Sequence, residues 1–554
     1  MPALKFVLGC AIAASFATPA AATMPTSRTI MADYVRARAA DADGQAAAAA
    51  KAYGAVLAAS PANATIARRA YRQALIAGDR PLALKAVKAL EAQNALPPDA
   101  RLFLIAEAVD AGEWKQAALL ADQIEKDGAF AFVVPVLRAW IAYGAHSGDP
   151  LAPLEGARKA GGLATAYAAD HRALLLLLIK DRQNEGIAAV QASGMTDTVR
   201  STRLRLAAAA EIAKTDKTRA LALLGGDDAV FALARQRIEA GKALPGAVDS
   251  SAKGISELFV RIAIDVNRER VAPLAIGFAR LATFLAPDNA EAWAVTAGLL
   301  GANGQESAAL AALDRISAAD PLADAASALR VRLLVQQDDL EAGLKAALAR
   351  ANSPAADAND WATVGGVYMQ MKRPADAATA YTRALALTRP AEGDKARWPL
   401  LLLQANALDE AGNWPAAKAA LKTAVKIAPD QPAVLNYLGY AQLERRENLV
   451  EATALVEQAS KLKPDDAAIT DSLGWAYYLQ GNIAEAITTL ERAVAGDPGQ
   501  TTLNEHLGDA YWSAGRRIEA RWAWGAALVF ASGDDASRLQ GKIDNGLTAR
   551  TAKR

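Results

Sequence analysis

The sequence predicts an all-α protein, a superhelix of antiparallel helix pairs. The first observation is an internal repeat of 34 residues, in which Leu473-Gly474 returns as Leu507-Gly508. A period of this length is typical of a helix–turn–helix unit stacked on copies of itself. The second observation is that alanine-rich amphipathic stretches alternate with short turns, without the alternating β-branched runs of strands. Prolines at a similar spacing are the third.

Each predicted unit has a fixed pattern of large and small residues. Counted from Ala358, bulky residues fall at positions 4, 7, 11 and 24, and small ones at positions 8, 20 and 27. Small residues let two helices approach closely, and the large ones fill the space between pairs. Glycine near position 15 predicts the turn within a pair, because it can adopt the left-handed conformation that ends a helix. These turn glycines are Gly412, Gly481 and Gly515.

Prolines near position 32 predict where the second helix of a unit ends, since proline cannot continue the hydrogen-bond ladder. The largest gap between them, 75 residues, holds two units and a polar insertion from Thr388 to Asp394, which predicts a longer loop. The prolines that mark these ends are Pro287, Pro321, Pro354, Pro429, Pro464 and Pro498.

Residues 256–530, with this pattern, resemble the tetratricopeptide repeat (TPR) family, which implies a TPR-like α-solenoid. Weaker marks of the same kind predict a divergent helical-repeat segment over residues 30–245. Its loop-like end, Gly241–Gly254, is a candidate seam. Residues 531–554 predict a capping helix and a polar tail, with Ser532 or Asp534 as the candidate N-cap.

The N-terminus, residues 1–22, has the pattern of a secretory signal peptide, with Lys5 before a short apolar run and small residues before a cut at Thr23. The alternative is an ordinary buried first helix. Cys10 is the only cysteine, so the mature chain would have no disulfide, thiolate metal site or cysteine nucleophile. The residues before Cys10 faintly resemble a lipoprotein cleavage box, which leaves open a lipid anchor there. We therefore expect a periplasmic protein or, alternatively, an outer-membrane lipoprotein.

The composition and the absence of known motifs argue against nucleic-acid binding, a metal site and the common catalytic sites. The 61 basic and 60 acidic residues give no basic field for nucleic acid. His146, His171 and His506 lack the spacing of a helical metal site, and no phosphate-binding or nucleophile-elbow motif occurs. We predict no cofactor, no metal and no enzymatic activity.

The serine-lysine hydrolases offer the one enzymatic alternative. Ser250 and Lys253 match their S-x-x-K motif, as do Ser460 and Lys463. Those enzymes place the lysine beside the serine in a mixed α/β domain, with a K-T-G element later in the chain. Two matches without that context are expected by chance.

Resemblance to TPR proteins implies that the first helix of each unit lines a concave groove, at unit positions 2, 5, 9, 12 and 13. Carboxylates and amphipathic aromatics dominate these positions in the last four units, which favours a basic or apolar segment of a partner protein. Carboxylate-clamp TPR domains have lysine and arginine at such positions, and neither residue occurs at them here, so we do not expect this subtype. The candidate groove residues are Asn406, Asp409, Glu410, Asn436, Tyr440, Glu444, Asp471, Trp475, Tyr478, Glu505, Asp509 and Trp512.

Some of these residues have an equally plausible structural role. Trp475 and Trp512 would then pack against the neighbouring unit, and the acids would be a solvated face. Trp524, at position 24 of the last unit, is predicted to be core.

Function follows the fold class: we expect a protein-binding scaffold or adaptor of the bacterial cell envelope. The C-terminal repeats, from Asp471 to Tyr478 and from Glu505 to Ala520, resemble exported bacterial TPR adaptors that recruit a C-terminal-processing protease. That resemblance implies a role in regulated proteolysis. An assembly factor for a pilus, secretion or polysaccharide-export machine shares the fold and remains an alternative.

Overall fold

The structure is a computed structural model that describes residues 27–157, 162–193, 198–226, 228–353, 356–388 and 393–548. Over these residues the chain forms thirty α-helices and one short 3-10 helix, and contains no strand. The predicted all-α fold of paired helices is therefore confirmed. The candidate signal peptide, residues 1–22, lies outside the described residues, as do Cys10 and Pro354. No helix within the described ranges is long and apolar enough to cross a membrane.

The chain divides into two compact units between Leu333 and Leu334. The helices before that division are α1 (Ser27–Ala42), α2 (Ala46–Ala59), α3 (Ala64–Ala77), α4 (Arg80–Glu91), α5 (Pro98–Asp110), α6 (Trp114–Asp127), α7 (Val134–Gly144), α8 (Ala152–Ala157), α9 (Gly162–Leu178), α10 (Gln183–Ser193), α11 (Thr198–Ile212), α12 (Lys217–Leu223), α13 (Ala229–Glu239), α14 (Ser251–Arg268), α15 (Ala272–Leu285), α16 (Ala290–Gly301) and α17 (Glu306–Leu313). The division falls within α18 (Ala323–Gln336).

The second unit continues as a run of helix pairs. Its helices are α19 (Leu340–Ala351), α20 (Ala358–Gln370), α21 (Pro374–Leu387), α22 (Gly393–Glu410), α23 (Trp414–Ile427), α24 (Pro432–Glu444), α25 (Leu449–Leu462), α26 (Ala467–Leu479), α27 (Ile483–Gly496), α28 (Thr501–Ser513), α29 (Arg517–Phe530) and α30 (Gly533–Asn545). From α20 to α29 each even-numbered helix packs against the next one, and α24, α26 and α28 contact one another in sequence.

In four of the five pairs from α20 to α29, the residue at unit position 8 is glycine, which allows the two helices to pack closely. A Cβ atom on Gly474 would lie 2.6 Å from Leu490 Cγ, and one on Gly508 would lie 2.4 Å from Trp524 Cδ1. Both partners stand at position 24, so these large residues pack against the small position within a pair, whereas the sequence predicted that they fill the space between pairs. Trp524 is fully buried, which confirms its assignment to the core.

The turns and helix ends also follow the repeat. Gly412, Gly481 and Gly515 have φ near +80°, at 78°, 82° and 80°. Non-glycine residues take the same left-handed conformation in two other units, at Lys372 (φ 56°) and Arg446 (φ 53°). Four prolines, Pro287, Pro429, Pro464 and Pro498, each follow the last residue of a second helix by two positions. The same prediction is wrong for Pro321, because α17 already ends at Leu313.

The first unit departs from a simple open array. Helices α14 and α15 contact α3, α5, α7 and α9, which are first helices of the N-terminal pairs. Arg280 on α15 donates to the carbonyl of Ile76 at 2.9 Å, although 204 residues separate them. Tyr167 donates to Asp265 on α14 at 2.7 Å. The inner side of these N-terminal helices is therefore occupied by the chain itself.

Three further local expectations are wrong in detail. The candidate seam Gly241–Gly254 is a loop only as far as Ser250, because α14 begins at Ser251. The insertion after Thr388 was predicted as loop through Asp394, but α22 begins at Gly393; residues 389–392 lie outside the described ranges. Ser532 occupies the N-cap position of the predicted capping helix, yet its side chain makes no capping hydrogen bond. The repeat boundaries at residues 30–245, 256–530 and 531–554 stay predictions.

Candidate protein-binding groove

A pocket of about 400 Å³ opens between the first helices α24, α26 and α28. Three of the predicted groove residues, Asn436, Tyr440 and Asp471, lie in its wall. The remaining wall combines apolar residues with polar ones, which include Asp497 and Gln500. The full lining consists of Asn436, Tyr437, Tyr440, Ala467, Ala468, Asp471, Ser472, Asp497, Gln500, Thr502 and Leu503.

Asn436 has unused hydrogen-bonding capacity in the wall of this pocket. Its side-chain Oδ1 is withdrawn from solvent and has no hydrogen-bond partner among the described residues. One turn further along α24, burial raises the pKa of the Tyr440 phenol, and the nearby Glu444 raises it further. Tyr440 therefore stays protonated at any physiological pH and can donate only as a neutral phenol.

Asp471 is buried and paired within the repeat. The Nδ1 atom of His506 lies 2.9 Å from Asp471 Oδ2 and 3.0 Å from Oδ1, so the ring donates to the carboxylate. Trp475 stacks on the other side of the network, with its ring centroid 4.0 Å from that of His506 and 4.7 Å from that of Tyr478. With 5% of its surface exposed, Trp475 is a packing residue, and it is not part of the pocket wall.

Glu505 and Asp509 are also withdrawn from solvent, with 2% of each residue exposed. The ammonium of Lys542, on α30, lies 2.7 Å from Glu505 Oε1 and 2.7 Å from Asp509 Oδ2. Arg538 forms a further ion pair with Glu505, and Trp524 Nε1 donates to Asp509 at 2.9 Å. The closing helix therefore neutralises both acids.

The remaining candidates are spread along neighbouring units. Asp409 pairs with Arg445, while Asn406 accepts from the Tyr437 hydroxyl and donates to Glu410, both at 3.3 Å. Tyr478 shares a hydrogen bond of 3.2 Å with Ser513.

Trp512 is half-buried against Trp524, with ring centroids 5.4 Å apart. The guanidinium of Arg517 lies 3.8 Å from the Trp512 ring centroid. Trp512 and Trp475 therefore both pack against side chains of neighbouring elements, which is the alternative role considered for them from the sequence.

These pairings change the expected electrostatics of the groove. The groove residues predicted from the sequence include acids but no cation. In the structure, basic side chains from other helices or other positions pair with these acids, namely Arg445, His506, Arg538 and Lys542. Lys542 is the residue that the sequence reasoning missed most clearly. A lysine on the apolar stripe of α30, between the buried Leu539 and the half-buried Ile543, was the available signal.

The serine-lysine matches do not form reactive pairs. Ser250 caps α14 by accepting from the backbone N–H of Lys253 at 3.3 Å, while the Lys253 ammonium pairs with Asp288 at 3.0 Å and with Asp249 at 3.2 Å. The ammonium of Lys463 lies 2.7 Å from Asp466. Across the part of the chain that the structure describes, no cluster of three or more histidine, cysteine, aspartate or glutamate residues could hold a metal ion.

Comparison with known proteins identifies the repeat. The tetratricopeptide repeat family model matches residues 402–467, 446–501 and 472–536. No curated protein matches the chain.

Several solved structures are similar to parts of the chain. A thermophilic TPR protein of Thermus thermophilus is 23% identical, with 34% of this chain and 98% of that chain covered and a TM-score of 0.29. A tetratricopeptide repeat protein from Parabacteroides merdae is 13% identical, with 46% and 96% covered and a TM-score of 0.37. MamA from Desulfovibrio magneticus is 18% identical, with 31% and 94% covered and a TM-score of 0.27.

Proposed function

Because residues 402–536 carry tetratricopeptide repeats, we propose that this protein is a non-catalytic scaffold that holds a peptide segment of a partner protein between α24, α26 and α28. The observation that carries the proposal is the Asn436 Oδ1 atom, which lacks a partner in the wall of the pocket. An unsatisfied buried acceptor costs free energy, and a small rotation of the amide would turn it toward a backbone N–H of a bound peptide.

The chemistry of the pocket favours an apolar or uncharged segment. Ala467, Ala468 and Leu503 provide apolar wall. Of the two acids in the wall, Asp471 is already paired with His506, so Asp497 is the one acid that could attract a charged group of a bound segment. Glu505 and Asp509 are paired with Lys542, so they have little remaining attraction for a basic partner. Of the two segment types expected from the sequence, we therefore propose the apolar one.

A peptide selected from a displayed random library against the full chain tests this proposal. We expect Asn436→Ala to weaken its binding by about tenfold, the effect of one lost hydrogen bond. Thr423→Ala, an exposed position on the second helix α23, is the matched control and should bind as the parent does. Equal affinities of the two variants, with unchanged helical circular dichroism, would refute the role of this pocket.

We also propose an envelope location and an adaptor role, in which the scaffold brings a C-terminal-processing protease to its substrates. The signal-like pattern of residues 1–22 supports export, and the resemblance of the C-terminal repeats to exported TPR adaptors supports the role. N-terminal sequencing of the protein from fractionated cells should find a start near Thr23 in the periplasmic fraction. Co-purification should recover a protease of that class, and its absence after cross-linking would remove the adaptor role.

A further inference from the structure

The outer face of α29 carries an apolar stripe with no partner among the described residues. Ile518, Trp522 and Val529 are 63%, 71% and 74% exposed, and Phe530 beside them is 59% exposed. Together with Gly525, the first three are spaced 4, 3 and 4 residues apart, which places them on one line along a helix. We define Ile518, Trp522, Gly525 and Val529 as the outer stripe.

The outer stripe lies opposite the side by which α29 joins the repeat. Ala520, Ala523, Trp524 and Ala527 are the buried residues of this helix. At 100° per residue these four residues cluster on one side, and the outer stripe lies about 180° away from them. The exposed side chains are therefore not needed for the packing of α29 against α28 or α30.

The spacing of the outer stripe is that of a coiled-coil seam, with apolar positions alternating at intervals of four and three. Its residues also complement themselves. When two copies of α29 run antiparallel, Ile518 faces Val529 of the other copy, and Trp522 faces Gly525. A Cβ atom on Gly525 would meet no heavy atom within 4 Å, so there is open space for the indole ring of the second copy.

We propose that the outer stripe is a homodimer interface, formed by two antiparallel copies of α29 about a twofold axis. A parallel pair would place two Trp522 rings in one layer and two Gly525 residues in another, which leaves a clash and a gap.

The available area is sufficient for a specific contact. The aromatic side chains Trp522 and Phe530 carry roughly 150–250 Å² each, so together with Ile518 and Val529 they offer about 500 Å² per copy. Two copies would then bury about 1,000 Å², the lower limit for a biological interface, which fits a reversible dimer. This surface lies outside the pocket between α24, α26 and α28, so the dimer does not depend on the peptide-binding proposal.

Sedimentation equilibrium of the full chain measures the association directly. We expect a monomer–dimer equilibrium whose dissociation constant rises at least about thirtyfold in Trp522→Asp, the loss typical of a central aromatic contact. Val450→Asp is the matched control, because Val450 on α25 is 85% exposed and lies outside the outer stripe. A chain that stays monomeric, or a Trp522→Asp variant that associates like the parent, would overturn the proposal.

Cysteine cross-linking tests the register independently. In a Cys10→Ser background, Ile518→Cys and Val529→Cys are made as separate proteins. The mixture should form a disulfide-linked heterodimer, while neither protein alone should cross-link, because equivalent residues lie far apart in an antiparallel pair. Cross-linking of Val529→Cys with itself would contradict the antiparallel register. Binding of a monomeric parent chain, but not of Trp522→Asp, to anionic phospholipid vesicles would assign the surface to a membrane instead.

Discussion

The Lys542 ammonium lies 2.7 Å from the Asp509 carboxylate, and both side chains are buried where α30 closes the last repeat. The same ammonium contacts Glu505 at 2.7 Å. Burial lowers the pKa of Lys542, and the neighbouring Asp509 carboxylate opposes that shift. The end of the solenoid is therefore held by a compact charge network in addition to apolar packing.

Replacing Lys542 with methionine tests the importance of that network. Methionine keeps most of the apolar stem but leaves Asp509 without its ammonium partner and Glu505 with Arg538 alone. Breaking a buried pair in this way costs about 3–5 kcal/mol. We expect faster hydrogen exchange in α28, α29 and α30 and an earlier urea transition. Lys461→Met, at an exposed position, should change neither, and equal behaviour of the two variants would contradict the role of Lys542.

Gly365 and Gly366 are neighbours with opposite environments. A Cβ atom on Gly365 would lie 2.6 Å from Tyr381 Cε1, whereas one on Gly366 would have no heavy atom within 4 Å. Gly365→Ala should therefore lower the free energy of unfolding by about 1–3 kcal/mol through overpacking. Gly366→Ala should raise it by about 0.5–1 kcal/mol, because alanine loses less backbone entropy in a helix. Chemical denaturation of the two single variants checks the signs, and two shifts of the same sign would be inconsistent with this packing.

Glu291 gives the first unit a pH dependence. Burial raises its pKa from 4.5 to about 7, and the nearby Glu257 carboxylate raises it as well. Between these two values the folded state binds more protons at Glu291 than the unfolded state does. The contribution of Glu291 to the free energy of unfolding is therefore fully present below pH 4.5 and is lost as pH rises through about 7. The loss is about 3 kcal/mol, since one unit of pKa corresponds to about 1.4 kcal/mol.

Glu291→Gln should remove that loss. The difference in melting temperature between the variant and the parent should grow in favour of the variant from pH 4.5 to about pH 8. Arg203 keeps its ion pair with Glu257 in this variant, so the buried guanidinium is not left alone. Glu269→Gln, at an exposed site, serves as the control. A constant difference across the pH range would show that Glu291 does not titrate as described.

Two tryptophans should respond differently to truncation. Trp475 is 5% exposed and stacked between His506 and Tyr478, so Trp475→Ala should cost about 3–5 kcal/mol, as for other buried aromatic residues. Trp522 is 71% exposed, and Trp522→Ala should stay within about 0.5 kcal/mol at concentrations where the chain is monomeric. Urea titrations of both variants give the answer. A small change in the free energy of unfolding for Trp475→Ala would contradict the role of Trp475 in packing.

The helix pairs were predictable because their determinants are local. Gly474 and Leu490 are 16 residues apart, and their small and large sizes recur with the period of the repeat. The groove was less predictable because its charges are paired across units. Asp471 meets His506 at a separation of 35 residues, and Glu505 meets Lys542 at 37. A pattern within one unit shows the acids but not the cations that cover them.

The position of α14 and α15 could not be predicted from the sequence, because their packing partners lie even further away along the chain. Their amphipathic pattern predicts a helix pair, but many apolar faces in the chain have similar shape and chemistry. Nothing in the pattern around Arg280 points to the carbonyl of Ile76, its partner in the structure. That contact depends on how the preceding pairs curve, which is a sum of small rotations along the array.

The contact between α15 and α3 means that parts of the first unit are synthesised long before their packing partners. During synthesis from the N-terminus, α3 is made about two hundred residues before α15, which covers its inner face. The inner faces of α5, α7 and α9 are likewise covered only after α14 and α15 have been made. Such distant closure is slow, and the uncovered apolar faces are open to misassembly in the interval. We expect a chain shortened to end at residue 245 to lack a cooperative thermal transition by circular dichroism. The inner faces of α3, α5, α7 and α9 therefore remain exposed on the growing chain until α14 and α15 have been made.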